Sequence, residues 1–294
     1  NIIRPLLLFA KAEIEEYAKN NKVPFKHDPT NLDIVHPRNF LRHEVIPNWQ
    51  DRYPGFHTAV QHLTTNMHEV SEIIDYTLDT VSKKVVEKAE NGNIIIKLDA
   101  FTDQPKAFKA HLVKYLLRSD GLLWRKHNWE DINHLIAHGK TGSIVNLGHY
   151  EILKNRESLI IQKKSPSCQT HFDIHEGENI QTDNFSFKWQ TAQKYNPNSN
   201  QNVEIVDAEA LAQNVELRPW EEGDYFQPLG MQGHKKVSDF LTDIKMDRFS
   251  KRSQFVLADR DEVFWVCGRR ISDKVKVTPK TTQFAELSFH HIVG

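Results

Sequence analysis

A chain of 294 residues with 39% hydrophobic and 26% charged side chains is long enough for two or three domains, each with its own core. A mean hydropathy of −0.58 without a long apolar run excludes a membrane-spanning helix, and a net charge of −1 excludes a uniformly basic nucleic-acid binder. Cys168 and Cys267 lie far apart and in no metal spacing, and no charged-then-apolar leader follows Asn1, so a reduced, cytoplasmic setting is expected.

The chain starts with Arg4-Pro-Leu-Leu-Leu8, a short apolar run behind a proline. A helix is expected from about Lys11 to Asn20, with Ile14, Tyr17 and Ala18 as its buried stripe. Phe25 to Asp33 is a polar loop rich in turn formers. Arg38-Asn-Phe-Leu-Arg42 then opens a helix that Pro47 should interrupt. Arg38 and Arg42 stand at i and i+4, so both guanidiniums project from one face. Two such groups repel unless an anion sits between them, and Asp28, Asp33 or a bound phosphate could serve.

From Phe56 the apolar residues Val60, Leu63, Met67, Val70, Ile74, Leu78, Val81 and Val85 follow at spacings of 4, 3, 4, 3, 4, 4, 3 and 4. One helix of about 35 residues, roughly 50 Å long, is expected, ended by Asn91-Gly-Asn93. A short strand follows at Ile94–Leu98, then a helix carrying Phe108, Leu112 and Leu116 with Pro105 near its first turn. A further helix is expected after Asn128, running to His138 with Trp129, Ile132, Leu135 and Ile136 as its apolar residues. Its His134 and His138 share a face, but no third metal ligand is evident. Gly139-Lys-Thr141 imitates a phosphate-cradling loop yet lacks its first glycine, since His134 stands five residues earlier. Small strands at Ser143–Leu147, Tyr150–Leu153 and Leu159–Gln162 are expected instead.

Ser165 to Thr170 reads as a linker, beyond which short strands dominate: Phe172–Ile174, Ile180–Thr182, Phe185–Trp189 and Val203–Val206. Tyr195 to Asn202 is a polar, Asn-rich loop. In Leu217–Leu241, Gly223-Asp224 and Pro228-Leu-Gly230 supply two turns around Trp220, Phe226 and Leu229. Lys235-Lys236 then opens a short helix with Val237, Phe240, Leu241 and Ile244, which places two cations beside free N–H groups. A hairpin at Phe255–Leu257 and Val263–Val266, a basic pair Arg269-Arg270 after Gly268, and a last strand at Thr281–Phe289 complete the chain. Charge is uneven here: Pro166–Gly233 holds 3 Lys+Arg against 11 Asp+Glu, a balance of −8, and His234–Lys280 holds 12 against 7, a balance of +5. That asymmetry suits either one positive face for an anionic partner or pairing between two copies.

Arg218-x-Trp-x-x-Gly-Asp-x-Phe-x-Pro-x-Gly230, Lys235-Lys236-x-Ser-Asp239 and Trp265-Val-Cys-Gly-Arg-Arg-Ile-Ser-Asp273 together resemble the C-terminal domain of the tRNA(Ile)-lysidine synthetase family. Arg4-Pro-Leu-Leu7, Asp28-Pro-Thr-Asn31 and Arg38-Asn-x-x-Arg42 resemble the tail of the same family's ATP-binding domain. His27 departs from the family's usual acidic residue, and His36 from a frequent aromatic.

The resemblance implies a multidomain α+β fold. Residues 1–54 would be the end of an α/β ATP-binding (PP-loop) domain, 55–164 a mainly helical domain with a long helix and small β elements, and 165–294 a β-rich α+β domain that binds tRNA. It also implies ATP- and Mg²⁺-dependent ligation of lysine to C2 of the wobble cytidine in isoleucine tRNA with the CAU anticodon, shifting codon reading from AUG to AUA. The family's phosphate loop, Ser-Gly-Gly-x-Asp-Ser, is missing, because the chain has no adjacent glycines. No catalytic or metal-binding residue is therefore expected within it, and it should be inactive alone with no ATP or Mg²⁺ bound. Arg38, Asn39 and Arg42 are implied to face lysine or tRNA near the active site; Arg218, Lys235, Lys236, Arg269 and Arg270 are implied tRNA-phosphate contacts. The rival reading is a structural or homodimerising module without RNA contact.

Overall fold

The computed structural model describes residues 5–6, 9–26, 28–89, 91–99, 104–164, 170–194, 200, 202–211, 215–260 and 262–292. Outside them lie Arg4, Leu7 and Leu8 of the first apolar run, His27, residues 165–169 of the expected linker with Cys168, most of the Asn-rich loop, and Asp261. The chain divides into two units, residues 1–74 and 75–294.

In the first unit, α1 (Lys11–Asn20) occupies its expected span, with the Glu13 carboxylate accepting the Ala10 N–H at 2.7 Å. Its expected buried stripe does not form: Ile14 and Ala18 are half-buried and Tyr17 is 66% exposed. The polar loop becomes a 3-10 turn, Pro29–Leu32, in which Asp28 accepts from the Thr30 N–H and hydroxyl at 2.9 and 2.7 Å. Next come α2 (Pro37–Phe40), a π-helical turn (Leu41–Val45) and α3 (Ile46–Arg52). Pro47 does not interrupt this run as expected. The chain widens by one residue, so Ile46 donates to the Leu41 carbonyl, and Pro47 falls in the first turn of α3, where its missing N–H is no loss.

The long helix, α4 (Phe56–Val85), has 30 residues and extends about 45 Å. It ends before the Asn-Gly-Asn signal because Val86–Lys88 turn into strand β1, which pairs with β2 (Ile94–Lys97). Asn91-Gly-Asn93 is the hairpin turn instead, with Gly92 at φ 76°. Leu78 and Val85 are buried, whereas Val60, Leu63, Met67, Val70 and Ile74 are 42–64% exposed.

In the second unit, α5 (Lys106–Leu116) and α6 (Lys126–His138) precede β3 (Ile144–Leu147), β4 (Tyr150–Lys154) and β5 (Ser158–Lys163). These strands complete an antiparallel sheet in the order β1-β2-β5-β4-β3. Leu112, Val113 and Ile132 share one core with Ile96, Ile152 and Ile161, so this mainly helical region lays its helices on a five-stranded sheet of short strands. α6 starts two residues before Asn128 because the Asn128 side chain accepts the Arg125 N–H at 2.8 Å. Gly139 closes that helix, and any β-carbon there would lie 2.5 Å from the Leu135 carbonyl oxygen. The glycine serves close backbone packing and cradles no phosphate.

The remaining strands are β6 (Phe172–Ile174), β7 (Asn179–Gln181), β8 (Phe185–Ala192), β9 (Val203–Asp207) and β10 (Val215–Pro219), followed by the hairpin strands β11 (Tyr225–Phe226) and β12 (Lys235–Lys236). Helices α7 (Val237–Asp243) and α8 (Arg248–Arg252) precede β13 (Phe255–Ala258), β14 (Val263–Val266), β15 (Arg270–Ile271) and β16 (Phe284–His291). Two sheets result, ordered β15-β14-β13-β10-β6 and β7-β8-β16-β9. Phe185, Phe187 and Phe289 of one pack with Leu217, Phe255 and Trp265 of the other in a single aromatic-rich core.

A joint fastens this region to the preceding sheet. Phe249 of α8, 3% exposed, inserts among Ile144, Leu153 and Ile160. Around it one guanidinium nitrogen of Arg252 donates to both Glu151 carboxylate oxygens at 2.8 and 3.1 Å, Arg248 donates to the Gly142 carbonyl, and Arg156 donates to the Lys245 carbonyl. The mixed α+β architecture is thus built from several antiparallel sheets with helices laid against them.

Candidate nucleic-acid interface

The Leu217–Leu241 stretch is organised by one ion pair. Arg218 projects from β10 and Asp224 lies in the turn made by Gly223 at φ 107°; the guanidinium grips the carboxylate at 2.8 and 2.9 Å. Both side chains are 11% exposed, and Asp224 also takes the Glu221 N–H at 2.7 Å. Asp224, its strongest hydrogen-bond acceptor, holds the Arg218 guanidinium above its ordinary pKa. Arg218 is therefore a structural clamp for this turn. The sequence expectation set it on a tRNA phosphate, whereas here its guanidinium is engaged by Asp224.

The lysine pair divides in the same way. Lys235 and Lys236 stand at a helix start as expected, with Lys236 the N-cap of α7, and they also form β12, where they face Phe226 and Tyr225 of β11. Strand alternation sends Phe226 and Lys235 to one side and Tyr225 and Lys236 to the other. Phe226 is fully buried against the Phe240 ring, and Lys235 runs its stem along that side to pair with Asp243. Lys236 is exposed, with no hydrogen-bond or ion-pair partner among the described residues. Tyr225 beside it is 41% exposed and meets the His234 ring edge-on at 5.5 Å. The outward side therefore carries a free ammonium, a phenol and an imidazole. The following N–H is not free for an anion either, because Val237 donates to the Asp224 carbonyl at 2.8 Å.

The Pro228–Gly230 turn, with Gly230 at φ 81°, is stapled to β15 and the residues after it. Leu229 donates to the Ile271 carbonyl, Gly230 donates to the Asp273 carboxylate, and Arg270 donates to the Leu229 carbonyl at 2.7 Å. Arg270 is exposed but partly spent on this staple. Arg269 is exposed, without a side-chain hydrogen bond or ion pair among the described residues. It edges a polar cleft of about 320 Å³ lined by Asn200, Asn202, Gly268, Phe289 and His291, with the buried Cys267 at its base. Loss of solvation, helped by the nearby Arg269 charge, lowers the His291 pKa. Burial pushes the Cys267 thiol well above its ordinary value, which makes it inert.

Most of the remaining basic residues in His234–Lys280 are internally engaged: Arg248 and Arg252 at the joint, Lys251 on Thr242, Lys274 on Glu262 and Lys276 on Asp273. Lys236 and Arg269 are the sequence-predicted cations of this region left free to meet an anion.

In the first unit, Arg38 and Arg42 are exposed and have no hydrogen-bond or ion-pair partner among the described residues. Asp28 and Asp33 do not neutralise them, because Asp28 caps Thr30 and Asp33 accepts the Val35 N–H. Asn39 differs from its neighbours. It is 8% exposed and donates to the Thr30 and Asp33 carbonyls, both at 2.9 Å, so it clamps the loop that faces the two arginines' helix.

Among the described residues no three His, Cys, Asp or Glu side chains gather as a metal site, and His134 and His138 stand alone with ring centroids 5.3 Å apart. No helix among them is long and apolar enough to cross a membrane. Tyr225, His234 and the Asn202–His291 cleft were missed in the sequence. Period-two alternation at Tyr225-Phe226 was the one signal that could have separated outward from inward side chains.

Residues 1–49 match the family described as PP-loop domain, and residues 215–287 match the TilS substrate C-terminal domain. The chain is 26% identical over 282 residues to a tRNA(Ile)-lysidine synthase of Bacteroides thetaiotaomicron, covering 95% of this chain and 62% of that protein. Proteins of the same description from Parabacteroides distasonis and Caldanaerobacter subterraneus are 25% and 26% identical over 98% of the chain, and each is covered to 64%. The chain therefore spans less than two thirds of the length of these relatives. A solved structure described as the TilS C-terminal domain aligns with 42% of the chain at 16% identity and a TM-score of 0.38, a likeness too slight to carry an argument.

Proposed function

We propose that this chain is the RNA-handling part of an ATP-dependent tRNA(Ile)-lysidine synthase, a ligase that joins lysine to C2 of the wobble cytidine of isoleucine tRNA with the CAU anticodon. The observation that carries this reading is the alignment of nearly the whole chain with relatives of that description, with the PP-loop and TilS C-terminal matches at its two ends. The organisation we propose is the tail of the ATP-binding domain in residues 1–54, a substrate- or tRNA-binding domain in 55–164 and a tRNA-binding domain in 165–294.

ATP and Mg²⁺ belong to the activity proposed for the whole enzyme. The residues present here do not fit the phosphates: the chain has no adjacent glycines, and its one Gly-Lys-Thr sequence is a helix end without room for a β-carbon. No chemical step is assigned to this chain, and alone it should bind RNA without modifying it. Within it, Lys236, Arg269 and Arg270 supply charge for tRNA phosphates, and Tyr225 and His234 lie beside Lys236 as flat partners for a sugar or base. Arg38 and Arg42 face the lysine substrate or the tRNA near the active site, and Asn39 holds the loop beside them in place.

A gel shift with isoleucine tRNA tests this reading. We expect retardation at low salt, weakened by joint replacement of Lys236 and Arg269 with alanine. The slope of log K against log salt should fall by about 0.7 to 0.9 for each phosphate contact removed. No retardation at low salt, or an unchanged affinity in the double variant, overturns it and leaves the homodimerising module as the better account.

A further inference from the structure

Outside that region, α5 and α6 bring aromatic and basic side chains together on one outer face. Trp129 of α6 has its ring centroid 4.6 Å from that of His111 and 4.9 Å from that of Trp124, tilted by 46° and 49°. Lys114 lies one turn beyond His111 on α5, and its ammonium sits 5.4 Å from the Trp129 ring centroid. One turn further, Arg118 lies over the Tyr115 ring at 3.6 Å. Both tryptophans pack against the core but are only partly buried, and Leu123 beside Trp124 is 81% exposed. A core-filling role alone would bury these rings and would not call for cations around them.

We propose that this face is a stacking platform for an unpaired RNA base, with Trp124 offering the ring surface and His111, Lys114 and Arg118 attracting the flanking phosphates. The proposal rests on the RNA reading above but concerns a different surface. Single-stranded RNA fits better than duplex here, because a base must leave its neighbours to lie on an indole, and a shallow aromatic patch reads no groove. RNA fits better than a protein partner because Lys114 and Arg118 stand beside the rings, while Glu130 is paired with Lys126 and Asp79 with Lys83 and the Tyr115 hydroxyl.

The test titrates the full chain with a 12-nucleotide oligouridylate and with a blunt RNA duplex, following tryptophan emission and fluorescence anisotropy. We expect the single strand to quench emission. Trp124→Ala and Lys114→Glu should each weaken its binding on the order of tenfold with an unchanged melting temperature, and duplex binding should change little. Lys114→Glu keeps the test decisive if the tryptophan variant folds poorly. Wild-type affinity for the single strand in both variants overturns the proposal, as does equal loss of single-strand and duplex binding. A concentration-dependent dimer in sedimentation that Trp124→Ala abolishes also overturns it, in favour of a second copy on this face. The Lys236 and Arg269 double variant separates the two readings. If it alone loses tRNA while Trp124→Ala and Lys114→Glu bind oligouridylate normally, the platform falls and the main reading stands; if the wild type binds neither RNA, both fall.

Discussion

Arg218 and Lys236 carry the same formal charge in one short stretch and do opposite work. Arg218 is locked to Asp224 at 11% exposure, and removing the acid would strand a nearly buried cation. Asp224→Ala should therefore cost about 3 kcal/mol in a urea melt, whereas Lys236→Ala should leave the melt unchanged. Asp120 supplies a second residue-scale prediction. It accepts hydrogen bonds from the hydroxyls of Tyr150 and Ser119 and from His149, and the Tyr150 bond is the main reason its carboxyl is held far below its usual range. Tyr150 in turn is pushed up to about 12, by burial first and by Asp120 second. A carboxylate with a depressed folded pKa contributes stability above its unfolded value near 3.8 and loses it as pH falls from there. Tyr150→Phe should lower stability at pH 7, and its gap to the wild type should narrow in melts taken progressively below pH 4. A gap that stays constant or widens in acid would refute the assignment. The charges were legible in the sequence, but their availability was not. That depends on partners such as Asp224, six residues away around a turn, and Asp243, eight residues from Lys235.

At the scale of elements, local signals placed α1, α5 and most strands within a residue or two, because capping groups, prolines and alternation act over a few neighbours. Errors arose where a local signal was overruled by pairing. Asn91-Gly-Asn93 reads equally well as a helix stop or a hairpin turn, and the pairing of Val86–Lys88 with Ile94–Ile96 selects the latter. Lys235-Lys236 does precede a helix, with Lys236 as its N-cap, but its pairing with Tyr225-Phe226 as a strand was not signalled locally. In α4 the period was right, yet Val60, Leu63 and Met67 remain exposed, because a repeat marks an apolar side without saying what covers it. The joint around Phe249 had no sequence signature at all. Its partners on the sheet lie roughly 90 to 105 residues away, and Phe249 sits in a five-residue helix too short to show a period. Phe249→Ala should cost about 3 kcal/mol, since the ring fills a closed site between sheet and helix, and a cost below about 1 kcal/mol in a denaturant melt would show the joint to be slack.

For the whole molecule, net charge near zero and the +5 balance of His234–Lys280 pointed to a positive face, but much of that charge is consumed as internal mortar. The surface available to an anion is correspondingly narrow, and on the function proposed above its affinity for tRNA should rest on few contacts with a shallow salt slope. The consumed part has a consequence for how the chain could be taken apart. Phe249, Arg248, Arg252 and Arg156 bind the β3–β5 sheet to the last region through side chains, not through the peptide that joins them. Covalent continuity between Lys164 and Thr170 should then be dispensable. Produced as two polypeptides divided there, the protein should be recovered from a single affinity tag as a stoichiometric pair, and Phe249→Ala with Arg252→Ala should make the untagged piece wash away.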